Sequence, residues 1–159
     1  MRAAVLTVSD GVSAGVREDL SGECLADLLA SEGYEVERTV VPDERDAIAA
    51  ALRQLAERVD VVLTTGGTGL GPRDVTPEAT RDVVDRIAPG IAEAVRADAI
   101  ARTPHGLLSR GVAGVVGSAL VVNLPGSRGG CRDGFEVLRR ALPHAVELLH
   151  GEPTAHEQT

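Results

Sequence analysis

The sequence contains no lysine, and its aromatic side chains are limited to Tyr34 and Phe135. Without lysine, the chain has neither the amine for a Schiff base nor the residue with which a P-loop grips phosphate. The shortage of aromatic rings removes the stacking surface that single-strand nucleic-acid binders use. Any phosphate bound by this chain must therefore be held by backbone N–H groups, by arginine or by a metal ion.

Positive charge is also scarce, since 24 acidic residues outnumber 16 basic ones and give a formal net charge of −8. Nucleic acid is therefore an unfavourable partner, because phosphate backbones require a basic face. No apolar run approaches the length of a membrane-spanning helix, and Asp10 interrupts the N-terminus before a signal-peptide core forms. Cys24 and Cys131 lack the spacing of a metal site or redox motif, which favours reduced thiols in a cytoplasmic protein.

Five short apolar runs have the length and composition of buried strands. They cover residues 3–9, 34–41, 60–65, 112–116 and 119–124. The last two flank Gly117-Ser118, a pair typical of a two-residue hairpin turn, which makes one strand antiparallel. Helical patterns separate the other runs. The chain therefore predicts an α/β fold with three α/β/α layers and a mixed, mainly parallel sheet.

The length of 159 residues fits one domain, which we expect to span residues 1–151, with residues 152–159 forming a polar tail. Asp43 is a suitable N-cap for the helix after the second strand. Thr76, followed by Pro77, has the same position before the helix after the third strand. Two later helices are expected over about 91–101 and about 132–142.

Polar loops follow four of the predicted strands. They contain Ser9-Asp10, Asp43, residues 66–74 and residues 125–127. Ligands of parallel α/β sheets bind beyond the carboxyl ends of the strands, so we expect these loops to converge on one site.

The third of these loops belongs to the segment TTGGTGLGPRDVTPEAT at residues 64–80. Its glycines match neither the dinucleotide nor the P-loop fingerprint. Gly66, Gly67 and Gly69 nevertheless allow an anion to approach successive N–H groups, and the Thr68 hydroxyl adds a donor. A flexible strand-to-helix connection is the structural alternative. The position directly after a buried strand favours a phosphate site.

Asp74 is the most informative residue of the segment. A carboxylate beside a phosphate is repelled unless a cation lies between them, and Mg²⁺ is the usual one. Asp74 would otherwise pair with Arg73 or cap the next helix, although Thr76 is the better cap. For Asp43, spacing alone favours a helix cap over a site residue.

Other polar residues complete a candidate ligand site. They are Ser9, Asp10, Ser109, Arg110, Pro125, Gly126 and Ser127. Serine hydroxyls at strand ends can donate to phosphate, yet each of these residues alone is more typical of a turn. We expect His105 to be solvated and Cys24 to lie in the core. No nucleophile, base and acid stand at suitable spacing, so covalent catalysis has little support.

Five segments in order resemble the MogA/MoaB family of molybdenum cofactor biosynthesis. They are TVSD, VPDE, LTTGGTGLGPRDVTPEAT, LSRGVAG and VVNLPGS, and the likeness extends from residue 5 to about residue 151. The resemblance implies a three-layer α/β/α molybdopterin-binding domain whose mixed sheet has one antiparallel strand. It also implies an Mg-ATP-dependent adenylylation of molybdopterin, which yields adenylyl-molybdopterin and pyrophosphate.

The resemblance implies catalytic roles for Asp43 and Asp74, which match the two important aspartates of the family. Asp74, with Asp43 as a second ligand, would position Mg²⁺, and Arg73 would stabilise charge. The GGTG backbone would bind phosphate of ATP or molybdopterin, and Ser9, Ser109 and Ser127 would bind pterin or phosphate. The expected assembly is a homotrimer or homohexamer, with the downstream molybdenum-insertion enzyme as a further partner.

One residue departs from the family pattern. Arg128 follows Ser127 where related loops often have proline, and it is either a solvated side chain or an added positive charge at the site. Two alternatives to the enzyme remain open. One is a non-catalytic MoaB-type protein that binds pterin or has a structural role, and the other is a different nucleotide-processing activity.

Overall fold

A six-stranded sheet runs through the centre of the computed structural model, which describes residues 1–151. The predicted polar tail at residues 152–159 lies outside the described residues. The strands are β1 (Arg2–Val8), β2 (Glu35–Val41), β3 (Val61–Thr65), β4 (Arg86–Ile87), β5 (Ala113–Val116) and β6 (Ala119–Leu124). Their order across the sheet is β2-β1-β3-β6-β5-β4.

Seven α-helices and one 3₁₀ helix surround the sheet within residues 1–151. The α-helices are α1 (Asp10–Ser13), α2 (Leu20–Ser31), α3 (Arg45–Ala56), α4 (Thr76–Arg81), α5 (Pro89–Arg102), α6 (Arg128–Leu138) and α7 (Leu142–Leu149). The 3₁₀ helix covers Pro104–Leu108. In this described part of the chain, no helix combines the length and apolarity needed to cross a bilayer.

The sheet is mixed and mainly parallel, as the sequence predicts. β1 pairs in parallel with β2 and β3, and β3 pairs in parallel with β6. β5 runs antiparallel to both β6 and β4. The predicted hairpin is present between β5 and β6, where Gly117 takes a φ of +59°, the conformation that a primed turn requires at its first central residue.

Apolar side chains fill both faces of the sheet, which gives the three predicted layers. On one face, Leu25 of α2 and Phe135 of α6 join a core cluster with β1, β3 and β6. On the other face, Ile48 and Leu52 of α3 pack with Ala79 of α4. The spacing of Ile48, Leu52 and Leu55 places all three on the buried side of α3.

The sequence misplaces several boundaries of short or glycine-rich elements. α5 begins two residues earlier than expected, and the two-residue strand β4 was not predicted. α6 begins at Arg128 rather than near residue 132, because the Ser127 side chain accepts a hydrogen bond from the backbone of Gly130 and caps the helix. The last helix accommodates Pro143 in its first turn, where the missing N–H costs no hydrogen bond.

Both predicted caps next to the site are wrong. The residue before α3 is Glu44, and the Asp43 side chain makes no capping bond to that helix. Thr76 lies inside α4, and its hydroxyl donates to the carbonyl of Gly66 at 2.9 Å. The Asp43 side chain instead connects its loop to Asp10 in the loop after β1, and the Thr76 side chain connects α4 to the glycine loop.

A buried amide joins the sheet to α4. The Asn123 side chain on β6 donates to the hydroxyls of Thr64 and Thr80, each at 3.0 Å, and accepts from the backbone of Val112 at 3.1 Å. The Thr80 hydroxyl donates in turn to the carbonyl of Thr76 at 2.8 Å. A continuous hydrogen-bonded path thus runs from the centre of the sheet to Thr76, which holds the glycine loop.

Replacing Asn123 with alanine should lower the free energy of unfolding by about 2–4 kcal/mol, because buried hydroxyls and an N–H lose their partner and a small cavity opens. Urea denaturation monitored by circular dichroism would measure the change. The control is Gln54→Ala on the exposed face of α3, which should change stability by less than about 0.5 kcal/mol. A loss below about 1 kcal/mol for Asn123→Ala would contradict a stabilising role for this amide.

Candidate active site

Four loops meet at the carboxyl ends of the parallel strands, as the strand order requires. They follow β1, β2, β3 and β6. The loop after β3 contacts all the others or their strands: the Gly66 N–H donates to Leu124 at the end of β6, and a Cβ on Gly66 would lie 2.3 Å from the carbonyl oxygen of Val8 at the end of β1. A Cβ on Gly67 would lie 3.3 Å from a carboxylate oxygen of Asp43, in the loop after β2.

Consecutive glycines give the loop after β3 its shape. Gly66 and Gly67 take φ values of +101° and +68°, which side chains rarely tolerate. The nearby carbonyls then accept hydrogen bonds from the protein: those of Gly66, Gly67, Thr68, Gly69, Gly71 and Asp74. By contrast, within residues 1–151 the N–H groups of Gly67, Thr68 and Gly69 have no acceptor. The stretch from Gly67 to Gly69 therefore presents N–H donors to an anion, while its carbonyl oxygens are already occupied.

Arg110 donates hydrogen bonds to three of these carbonyls. Its backbone N–H donates to Thr68 at 2.9 Å, its Nε to Gly69 at 2.8 Å and its Nη2 to the carbonyl of Asp74 at 2.7 Å. The remaining nitrogen of its guanidinium pairs with Glu78, and this contact holds the pKa of Glu78 below its usual value. The sequence places Arg110 beside Ser109 in the candidate polar set but indicates no role for it, because a contact with a loop some 40 residues earlier leaves no local signal.

The Asp74 carboxylate lies over the loop. Its Oδ2 accepts from the Gly71 N–H at 2.9 Å, and a Cβ on Gly69 or Gly71 would lie within 3.0 Å of the same oxygen. Asp74 therefore neither pairs with Arg73 nor caps α4, the two structural alternatives. A side chain at Gly69 or Gly71 would therefore displace the carboxylate from its present position.

Asp10 pairs with Arg73 in place of Asp74. The guanidinium Nε and Nη2 of Arg73 donate to the two oxygens of Asp10 at 2.6 and 3.0 Å. This hydrogen bond and a further one from the backbone of Asp43 lower the pKa of Asp10. The first and third loops are thus bound by a bidentate ion pair.

Asp10 and Asp43 also bind each other's backbone. The Asp10 N–H donates to Asp43 Oδ2 at 2.8 Å, and the Asp43 N–H donates to Asp10 Oδ1 at 3.0 Å. Partial burial nevertheless raises the pKa of Asp43, and the negative charges of Asp10 and Asp74 act in the same direction. The negative charges around Asp43 therefore favour either a nearby cation or a proton on Asp43 itself.

The three candidate serines use their side chains to shape their loops. Ser9 Oγ accepts from the N–H of Val12 at 3.2 Å, and Ser127 Oγ accepts from Gly130 at 3.0 Å, so each begins a helix. Ser109 Oγ accepts from its neighbour Gly111 at 3.3 Å. Their O–H groups stay available as donors to a ligand.

Two cavities lie on either side of the glycine loop. The larger, here called the α5 cavity, has a volume of about 610 Å³ and is lined by Thr68, Ser109, residues of the 3₁₀ helix and both apolar and charged side chains of α5, among them Val95, Arg96 and Asp98. The smaller, here called the Asp43 cavity, has a volume of about 460 Å³ and is lined by Ser9, Asp43 and the first residues of α2 and α6. The two share Gly67, Asp74, Gly126 and Ser127.

The remaining sequence candidates lie apart from this shared edge. Asp10 and Arg73 line neither cavity, although they hold the loops that do. His105 is exposed, as expected, whereas Cys24 is only half-buried and not a core residue. Burial raises the pKa of Cys131 to about 12, so this thiol is no nucleophile at neutral pH.

The sequence matches a family model described as "Probable molybdopterin binding domain" over residues 4–144. The chain belongs to this family. A molybdopterin adenylyltransferase of Helicobacter pylori strain J99 is 39% identical over 152 residues, which make up 92% of this chain and 86% of that protein. The resemblance of the sequence to the MogA/MoaB family is thereby confirmed.

Two further relatives show the same domain alone and within a longer protein. The molybdopterin biosynthesis enzyme MoaB of Thermus thermophilus superposes with a TM-score of 0.88 at 47% identity, covering 96% of this chain and 98% of that one. The molybdenum cofactor synthesis protein cinnamon of Drosophila melanogaster is 40% identical over 91% of this chain. That match spans only 25% of the Drosophila protein.

In this family member, Gly66→Ala should lower the free energy of unfolding by about 2–4 kcal/mol, because the new Cβ meets a backbone carbonyl and φ is unfavourable. Urea denaturation would measure the loss. Gly129→Ala, whose Cβ would meet nothing within 4 Å, should stay within about 0.5 kcal/mol of the natural protein. Equal effects of the two substitutions would contradict the loop geometry.

Asp43→Asn should stabilise the protein at neutral pH, because the raised pKa means that ionised Asp43 costs folding free energy. Below the pKa of an unfolded aspartate, about 3.9, both states are protonated and the gain should vanish. The gain should grow as the pH rises from there through the raised pKa of the folded state. Urea midpoints of both proteins at about pH 3 and pH 7 would test this, and a gain of the same size at both pH values would contradict it.

Proposed function

We propose that this protein is a molybdopterin adenylyltransferase. An oxygen of the terminal phosphate of molybdopterin forms a bond to the α-phosphorus of ATP. The bond from that phosphorus to the β-phosphate oxygen breaks, and pyrophosphate leaves with the electron pair. Family membership supports the proposal, as does the Helicobacter pylori relative of that name, most of whose length this chain covers.

The observation that carries the proposal is the meeting of two cavities at one edge. Transfer between two phosphorylated substrates requires both to reach a common point from different sides. The α5 and Asp43 cavities meet at Gly67, Asp74, Gly126 and Ser127. A protein that only binds pterin needs one of these cavities and has no use for a carboxylate between them.

The residues of the glycine loop would bind the reacting phosphates. The N–H groups of Gly67, Thr68 and Gly69 would donate to phosphate oxygens, together with the Thr68 hydroxyl and the O–H groups of Ser9, Ser109 and Ser127. Charge that develops on those oxygens would be stabilised by donors already in place. Pro125 and Gly126 would complete the wall beside Gly66, where a Cβ on Gly126 would lie 3.3 Å from the Gly66 Cα.

Asp10 and Arg73 take a positioning role in this proposal. Their ion pair lies outside both cavities and fastens the loop of Asp74 to the loops of Ser9 and Asp43. Arg73 would therefore act through the position of the carboxylates, while backbone donors stabilise the phosphate charge.

The residues present fit a magnesium ion carried in with the nucleotide. Within residues 1–151, no three histidine, cysteine or carboxylate side chains come together as a self-sufficient metal site. Asp43 and Asp74 would supply carboxylate oxygens, and phosphate oxygens and water would complete the octahedron that Mg²⁺ prefers. When bound, the ion would neutralise charge on the phosphates.

The family resemblance also supports three wider proposals. We propose a cytoplasmic protein, in keeping with its two free cysteines, that assembles as a homotrimer or homohexamer. Its activated product would pass to the downstream molybdenum-insertion enzyme. ATP and molybdopterin are its proposed ligands, and the net charge of −8 disfavours nucleic acid.

Incubating the purified protein with molybdopterin, ATP and Mg²⁺ should yield adenylyl-molybdopterin and pyrophosphate in equal amounts. Asp74→Asn should lower kcat at least about 100-fold, because a group that acts on the reacting phosphates loses its charge. Chromatography of the adenylylated product and a coupled pyrophosphate assay would measure the rate.

Asp46→Asn is the matched control, since Asp46 is exposed on α3 and lines neither cavity. It should keep the natural kcat. Unchanged product formation with Asp74→Asn would sink the proposed role of Asp74. Natural protein that binds molybdopterin but never consumes ATP would establish the binding-only alternative.

A further inference from the structure

Two arginines line the Asp43 cavity without a partner. Arg17 lies between α1 and α2, and Arg128 is the first residue of α6. Within residues 1–151, neither guanidinium forms an ion pair or a hydrogen bond. Arg73 and Arg110, by contrast, are fully engaged in holding the glycine loop. Arg17 and Arg128 are therefore the site's available side-chain cations on this side of the loop.

Within the described residues 1–151 no carboxylate pairs with either guanidinium, although Glu18, Asp19, Asp43 and Asp74 also line the cavity. Asp19 lines the same cavity, but its oxygens pair with Arg38 at 2.9 Å and accept from Thr7 and from the Gly22 N–H. Asp43 accepts from the Asp10 backbone. The protein therefore directs neither free guanidinium to an internal anion.

Both arginines are exposed side chains on the lining of the cavity. The Arg17 stem lies on Gly11, where a Cβ would come within 2.6 Å of the Arg17 Cδ. Arg128 stands in the first turn of α6, directly after the Ser127 cap. The cavity also receives the first residues of α2, so two helix N-termini add their favourable field for anions.

The charges of the cavity match a polyphosphate that carries a divalent cation. Arg17 and Arg128 offer N–H donors to anionic oxygens, and Asp43 and Asp74 offer carboxylate oxygens to a cation. A single phosphate at the glycine loop would satisfy the backbone donors and leave both arginines unpaired. A chain of phosphates that extends from the loop into the cavity would satisfy the whole set.

We propose that Arg17 and Arg128 form a clamp for the β- and γ-phosphates of ATP and for the pyrophosphate that leaves. The inference rests on the proposed function and deepens it, since it places the leaving group in the Asp43 cavity. The two guanidiniums hold the polyphosphate end of the nucleotide, while the α-phosphate lies at the edge that the two cavities share.

Isothermal titration with inorganic pyrophosphate in the presence of Mg²⁺ tests the clamp without molybdopterin. Arg17→Gln and Arg128→Gln should each weaken pyrophosphate binding about tenfold, the effect of losing one charge-assisted contact, and the double variant should weaken it further. Affinity for AMP, which lacks the two outer phosphates, should change less than about twofold for each. Circular dichroism confirms that each variant is folded.

Arg132→Gln is the matched control, because Arg132 is exposed one turn further along α6 and lines neither cavity. It should bind pyrophosphate like the natural protein. Undiminished pyrophosphate binding by the double variant, or no binding by the natural protein, would overturn the clamp. The adenylylation assay distinguishes the clamp from the proposed function. If the natural protein forms product and the double variant binds pyrophosphate undiminished, only the clamp is refuted. If pyrophosphate binding depends on the two arginines but the natural protein forms no product, only the proposed function is refuted.

Discussion

The site depends on the orientation of one stretch of peptide planes, from Gly66 to Gly69. Two consecutive glycines with positive φ begin the turn, and Thr76 and Arg110 bind the carbonyls on its inner side. The N–H groups of Gly67, Thr68 and Gly69 then face away from the protein's acceptors. The proposed anion binding would thus follow from the backbone, which suits a chain that has no lysine.

The rest of the fold supports that orientation from three directions. The buried path from Asn123 through Thr80 fixes Thr76 from the sheet below. Arg110 fixes the loop from the segment before β5. The ion pair of Asp10 and Arg73 fixes it from the loop after β1. Apart from the Thr76 bonds, each contact joins residues distant in the chain, so the complete sheet topology must form before the loop takes its shape.

The sequence predicts the features that local pattern determines. Continuous apolar runs locate the buried strands, and Gly117-Ser118 locates the hairpin, because both signals lie within a few residues. The strand β4 and the helix α1 are too short for a periodic pattern to show. The grouping of the site loops follows from a general rule for parallel sheets and needs no knowledge of individual contacts.

Side-chain roles were harder to predict, because competing partners lie far apart in the chain. Asp43 and Thr76 have the composition and position of helix caps, yet loops brought in by the fold give each a stronger use. Arg73 stands next to Asp74 and binds Asp10 instead, 63 positions away. The role of Arg110 is hidden for the same reason, since nothing beside it in the sequence indicates which carbonyls it will contact.

The occupied carbonyls also have a consequence for metal ions. A stretch of backbone that presents only N–H groups has no oxygen to offer, so a cation gains nothing from it and is repelled by the same dipoles that attract phosphate. In the proposed reaction, the selection of a metal ion would consequently be left to the carboxylates of Asp43 and Asp74 and to the oxygens of the incoming ligand. Such a site would favour an ion that arrives with phosphate over a free ion of the same kind.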